Sequence, residues 1–297
     1  MNLTRLPARE RAVVATDEEP PFEIDPFGAS FRVVVGANAL ATECVGGREA
    51  RVHEAKRAAK AGAPHGATWI AETQTAGRGR QGRAWISPRG ENLLFSVLLR
   101  IACVPSRLPQ LALVAGLAVR DAVARAAPGA NVRIKWPNDV VVGEERRKVA
   151  GVLMETTMLG SNVDAVVVGV GINVHARAFP AELEGHATSV ALVLSGSSVP
   201  PSRAEILADV LMALDRDVAL VAARGLGLVH ARLTAADALR GESVRTDDDA
   251  QGRAEGIDLE GRLLVRRDDG TLARWQAGEV HLARARGDGA IARSTTR

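Results

Sequence analysis

The chain has 297 residues, 46% of them hydrophobic, enough for one large domain or one large and one small, each with a packed core. Its net charge of +3, from 38 Lys and Arg against 35 Asp and Glu, does not demand a nucleic-acid partner despite the basic isoelectric point. Cys44 and Cys103 are the only cysteines and have no motif spacing, which argues against a disulfide scaffold and for a reducing cytoplasm, and the six scattered histidines form no metal-ligand set.

No run approaches the ~20 apolar residues that span a bilayer, and no apolar segment follows the N-terminal arginines, so neither a membrane span nor a signal peptide is expected. Residues 1–30, with Glu18-Glu19-Pro20-Pro21 and Pro26, are expected to be an irregular arm, too short and irregular for a three-helix DNA-binding unit. Residues 36–52 fit no element well. His53 to Ala61 has helical composition and stops at Gly62-Ala63-Pro64. Strands follow at about 66–73 and 92–100. Between them, Gln74-Thr75-Ala76-Gly77-Arg78-Gly79-Arg80-Gln81-Gly82-Arg83-Ala84-Trp85 interleaves arginine with glycine. Glycine lets the backbone approach a ligand, and arginine offers a donor fork to phosphate or carboxylate, so this is a cationic loop suited to an anionic ligand. It is not a phosphate-binding P-loop, because no Gly-Lys-Ser/Thr follows.

Pro105 to Ala127 reads as a long amphipathic helix ended by Pro128-Gly129. Strands are expected at about 131–135, 139–142, 148–157 and 163–174, paired as hairpins rather than βαβ units. They carry Lys135-Trp136-Pro137-Asn138-Asp139-Val140, then Arg147-Lys148-Val149-Ala150-Gly151-Val152-Leu153-Met154-Glu155, then Val167-Val168-Gly169-Val170-Gly171-Ile172-Asn173-Val174. A second long helix covers 202–223. After about Ala235, short strands are expected at Glu242–Arg245, Ala254–Asp258, Leu263–Arg267, Leu272–Gln276 and Val280–Leu282, a pattern that suits a small barrel.

In this order and spacing, the Arg/Gly loop and the later blocks resemble the catalytic domain of bacterial biotin protein ligases (biotin–[acetyl-CoA-carboxylase] ligases), from about Glu54 to about Ala285. The resemblance implies an α+β fold: a mixed or antiparallel sheet with helices, as in class II aminoacyl-tRNA synthetases, plus a C-terminal SH3-like β-barrel. The expected division is an arm at 1–30, a catalytic domain at 31–234, the barrel at 235–286 and a tail at 287–297. The implied reaction joins biotin to a lysine of a biotin carboxyl carrier protein through biotinyl-5′-AMP, with Mg·ATP consumed, in the cytoplasm and without DNA or membrane. Both steps gather negative charge, so catalysis should rest on positioning and electrostatics.

The resemblance also implies roles. Gln74, Gly77, Arg78, Arg80, Lys148, Gly151 and Leu153 match the biotin site, with Gly79 and Gly82 as further hinges of the loop. Lys148, Arg78 and Arg80 are the expected catalytic residues, and Arg80 matches the position that retains the adenylate. Arg83, Trp85, Lys135, Asn138, Asp139 and Asn173 match the ATP and adenylate site, and Asn173 faces the magnesium carried by the nucleotide. Trp85 is equally readable as a ligand wall or a core aromatic, and Asp139 as a site residue or a turn residue. One departure stands out: the family usually carries Ser-Thr-Asn where this chain has Ala50-Arg51-Val52. A lipoate ligase of the same fold is the nearest alternative. A nucleic-acid-binding role for the arginine loop is disfavoured, because 3% aromatic content and no tyrosine leave few stacking platforms.

Overall fold

Two antiparallel sheets, one of six strands and one of five, carry most of the chain in the computed structural model. It describes residues 12–14, 22–24, 47–72, 85, 87–101, 103–194, 201–246 and 249–282. Near the N-terminus, β1 (Ala12–Val14) and β2 (Phe22–Ile24) pair antiparallel, so the segment expected to be irregular contains a short two-stranded ribbon.

The six-stranded sheet is built from β3 (Thr68–Ala71), β4 (Asn92–Leu99), β5 (Val132–Lys135), β6 (Asp139–Val142), β7 (Arg147–Leu159) and β8 (Asn162–Asn173), in the order β3-β4-β8-β7-β6-β5. β4 and β8 are central, and every residue of β4 is buried, which is why Asn92–Leu99 reads as a nearly unbroken apolar run. One face is covered by α2 (Leu108–Ala126) and α4 (Arg203–Arg224). Val166, Val168, Val170 and Ile172 of β8 point into that core with Leu111, Val114, Leu117, Ile206, Val210 and Leu214 of the two helices. A capping box between Ser202 and Glu205 starts α4, and Gly225, at φ 74°, ends it.

Among the described residues, α1 (Gly47–Lys60) covers part of the opposite face. Val52, Ala55 and Ala59 of this helix pack with Trp69, Leu98, Ala165 and Val167 in a smaller core. The helix begins six residues before the expected start at His53, so residues 47–52 do belong to an element. Arg, Glu and Ala propagate a helix readily, and Val52, Ala55 and Ala59 recur at helical spacing. Val52 is 2% exposed, so the Ala50-Arg51-Val52 segment lies within a packed helix and its valine fills the core. Two short helices escaped the sequence reading: α3 (Val190–Val193) and α5 (His230–Ala236). Each has too few turns to show a periodicity.

The five-stranded sheet contains β9 (Ser243–Thr246), β10 (Gln251–Ile257), β11 (Leu263–Arg266), β12 (Leu272–Trp275) and β13 (Val280–Leu282), in the order β12-β11-β10-β9-β13. The small sheet is present, and among the described residues no pairing joins its two end strands, β12 and β13. It meets the larger sheet at the β5–β6 turn, where buried Trp136 donates its indole N–H to the carbonyl of Gly261, 3.0 Å away. Arg146 bonds Ala238 O at 3.0 Å and pairs with Glu242. No helix among the described residues is long and apolar enough to cross a membrane.

Candidate active site

The candidate site lies on the half of the second sheet face that α1 does not reach. Directly paired residues of neighbouring strands share a face. Pairing runs in register across all six strands through Ala71, Leu94, Gly171, Gly151, Asp139 and Lys135. This row therefore brings Lys135, Asp139 and Gly151, three expected site residues, to one face, with a glycine bed at its centre. The next row towards α1 is Trp69, Ser96, Gly169 and Leu153.

The indole of Trp85 lies on the glycine bed. A Cβ placed on Gly171 would stand 2.9 Å from two indole carbons, so that position needs glycine for this contact, whereas one on Gly151 would stand at an ordinary 3.5 Å from a third and would crowd the Lys148 side chain instead, at 3.2 Å. That arrangement puts Trp85 against the same strand face as Lys135 and Asp139. Its Nε1 is buried with no hydrogen-bond partner among the described residues.

Lys148 completes the cationic side. Its Nζ lies 2.7 Å from Asp139 Oδ1 and 5.6 Å from the centre of the Trp85 ring, close enough for a cation–π contact. Its backbone is locked on the outer side by Lys148 N to His186 O at 2.8 Å and Thr188 N to Lys148 O at 2.9 Å. Asp139 is thus the counter-ion of the lysine, a function beyond that of a turn residue. With the lysine side chain 37% exposed, an entering carboxylate or phosphate can reach the ammonium without first breaking a buried pair.

Two asparagines serve the frame. Asn138 donates its amide to Val152 O at 2.8 Å and accepts from Val152 N through its own carbonyl at 2.9 Å, clamping the β5–β6 turn to β7. The Trp136–Pro137 bond in that turn is cis. Asn173, 5% exposed, donates to Thr188 O at 3.0 Å, which fixes its amide at the end of β8. Leu153 is half-buried on the second row. Beyond Asn173, burial, reinforced by Arg203 and Arg177, holds the His175 imidazole below its ordinary pKa against the opposing pull of Glu91. Gln74, Gly77, Arg78, Arg80 and Arg83 lie outside the described residues. The residue before that segment, Glu72, is held by Arg203 Nη1 at 2.7 Å, with side chains 15% and 14% exposed.

Among the described residues no group of three or more His, Cys, Asp and Glu could hold a metal. One carboxylate, Asp139, and one amide, Asn173, suit a hard cation that arrives with phosphate oxygens and keeps much of its water, and do not suit a resident metal.

Sequence reasoning did not single out Gly171, Gly169 or Ser96 as site residues. Gly169 and Gly171 carried a signal, glycine at alternate positions in a strand of valines, which marks close approach on one face. Ser96 carried only its polarity within an apolar strand.

Comparison with known proteins agrees with this geometry. Residues 51–173 match the biotin/lipoate A/B protein ligase family, and residues 243–282 match the biotin protein ligase C terminal domain. A biotin–[acetyl-CoA-carboxylase] ligase of Paracoccus denitrificans is 36% identical over 208 residues, 68% of this chain and 85% of that protein. A bifunctional ligase/repressor of Escherichia coli is 32% identical over 219 residues, 73% of this chain, and the match spans 66% of its length. A solved biotin protein ligase of Aquifex aeolicus, in complex with biotin and ATP, superposes with a TM-score of 0.64 at 30% identity, covering 77% of this chain and 94% of that one.

Proposed function

Because the chain belongs to the biotin protein ligase family, we propose that the sheet face beside α1 is where biotin is activated by ATP and passed to a lysine of a biotin carboxyl carrier protein. The observation that carries this reading is the ion pair of Lys148 with Asp139 at the edge of the row that holds the Gly151–Gly171 bed beneath Trp85. The apolar surroundings beside the indole suit a fused ring, and the ammonium at the edge of the bed suits the carboxylate at the end of an acyl chain.

In the first step a biotin carboxylate oxygen attacks the α-phosphorus of ATP. The bond to the bridging oxygen breaks, and pyrophosphate leaves. Lys148 lies where it can hold the carboxylate against the α-phosphate and offset the charge that gathers there. Asp139 keeps the ammonium aimed across the bed. Arg78, Arg80 and Arg83 would add charge from the loop, with Gln74 and Gly77 beside the biotin, Arg80 retaining the adenylate and Lys135 near the nucleotide. Asn173 and Asp139 offer oxygens to the Mg²⁺ carried by ATP, which when bound neutralises phosphate charge. In the second step the neutral ε-amine of the acceptor lysine attacks the acyl carbon, AMP leaves with the bonding pair, and an amide forms. This reading places the reaction in the cytoplasm and takes 31–234 as the catalytic domain, with 235–286 as its C-terminal partner.

Incubation of the chain with ATP, Mg²⁺, biotin and a biotin carrier domain tests it. Pyrophosphate release that requires biotin, and a single biotinyl mass increment on the carrier, are expected. Modification with lipoate and none with biotin would overturn it.

A further inference from the structure

We propose that Ser96 binds the acyl substrate directly, its hydroxyl hydrogen-bonding the cyclic urea at the floor of the site. The inference rests on the ligase reading above and deepens it by naming the polar group that the sheet itself offers the ring. Ser96 is the one polar residue between Leu93 and Leu99, it is 0% exposed, and its Oγ has no hydrogen-bond partner among the described residues. A buried hydroxyl left unpaired is disfavoured, and an apolar residue would fill this strand position without that penalty.

Its place indicates what would complete it. Ser96 pairs with Gly169 on one side and Trp69 on the other, all three buried, in the row between the one under α1 and the one under Trp85. Towards one end, α1 packs over Leu98 and Val167. Towards the other, Trp85 lies over Gly171 and Gly151. Gly169 puts no side chain beside the hydroxyl, and Leu153, beyond it, and Trp69 supply apolar flanks. A ring lying between α1 and the indole thus meets one buried hydroxyl in apolar surroundings.

A hydroxyl both donates and accepts, and the cyclic urea of biotin presents N–H and carbonyl groups, whereas a thioether sulfur is only a weak acceptor. The dithiolane of lipoate offers no such partner, so the same contact separates the two acyl acids.

The test is calorimetric titration of the full chain and its Ser96→Ala and Ser96→Cys variants with biotin and with desthiobiotin, which keeps the urea and lacks the sulfur. Both variants keep the volume of the site roughly constant, and Cys keeps a weak donor. The proposal expects both ligands to bind about five- to tenfold more weakly to each variant. Unchanged binding of both ligands overturns it, and so does a loss confined to biotin, which would place the contact on the sulfur. If the unaltered chain binds lipoate and not biotin, it is the ligase assignment itself that fails, and the urea contact with it.

Discussion

In the proposed reaction, Lys148 and its ion-pair partner Asp139 are the two residues that matter most. Replacing Lys148 with alanine removes the ammonium from the edge of the glycine bed and leaves Asp139 without its 2.7 Å partner. Adenylate formation is expected to slow about a hundredfold, ~3 kcal/mol in the barrier, with ATP binding little changed. Pyrophosphate release in a single turnover is the measurement, and an unaltered rate would make Lys148 a surface residue. Lys148 and Gly151 were legible because they sit in a dense local motif. Asp139 was legible as a position and ambiguous in role, since its ion pair is made to a residue nine places on, across a hairpin whose register a sequence does not display. Ser96 and Gly169 were not legible as site residues for the same reason at longer range: they become neighbours only when β4 and β8 pair.

At the level of elements, α1 shows how a family pattern can mislead. The resemblance implies a ligand-binding asparagine where this chain has Val52. In the fold that valine is 2% exposed in the helix–sheet core with Trp69 and Val167. Val52→Asn is therefore expected to lower stability by about 2–3 kcal/mol, by losing apolar burial and burying an amide, rather than to improve biotin affinity. Urea denaturation of the two proteins decides it, and an unchanged midpoint with tighter biotin binding would restore the family register. The helices on the other face are tied by a charge cluster. Arg232 of α5 bonds Asp217 of α4 at 2.8 Å and Asp121 of α2 at 2.5 Å, and Arg216 adds a bond to Asp217 at 2.8 Å. Burial pushes the Asp217 carboxyl upward, but the bonds from Arg216 and Arg232 outweigh it and leave the carboxyl below its ordinary range. A folded-state pKa below the unfolded one contributes stability above the unfolded value, lost as pH falls through the folded one. Arg232→Met is expected to cost about 1–2 kcal/mol at neutral pH, discounted because the arginine is partly exposed. The gap from the unaltered protein should narrow in acid, and a gap that stays constant from neutral pH to strong acid would remove Asp217 from the account. The long helices and paired strands were readable from periodicity and stop signals. This cluster was not, because its members come from three separate elements.

Over the whole molecule, the smaller sheet is anchored to the turn that carries the site. Trp136 begins that turn, and Asp139, three residues on, ends it, so the bond from the indole to Gly261 ties the β10–β11 turn to the frame of the lysine's counter-ion. Trp136→Phe keeps the ring and deletes the donor. Stability should fall by about 1 kcal/mol, and amide exchange over residues 258–263 should quicken while the β4–β8 core stays protected. Equal exchange in the two proteins would show the bond to be dispensable. The strands of the smaller sheet were legible from turn residues, and their order was not, because β13 returns to pair with β9. The glycine bed has a further consequence for how this fold can change its diet. A pocket lined by side chains can be enlarged by trimming them, but the floor here is main chain at Gly151 and Gly171, held by strands on both sides, and nothing remains there to trim. Mutation at those two places can only raise the floor. Bulkier analogues of the substrate must be accommodated by retailoring the rim, at Trp85 or Leu153, so the range of acceptable rings is adjustable in one direction from below and in both from the sides.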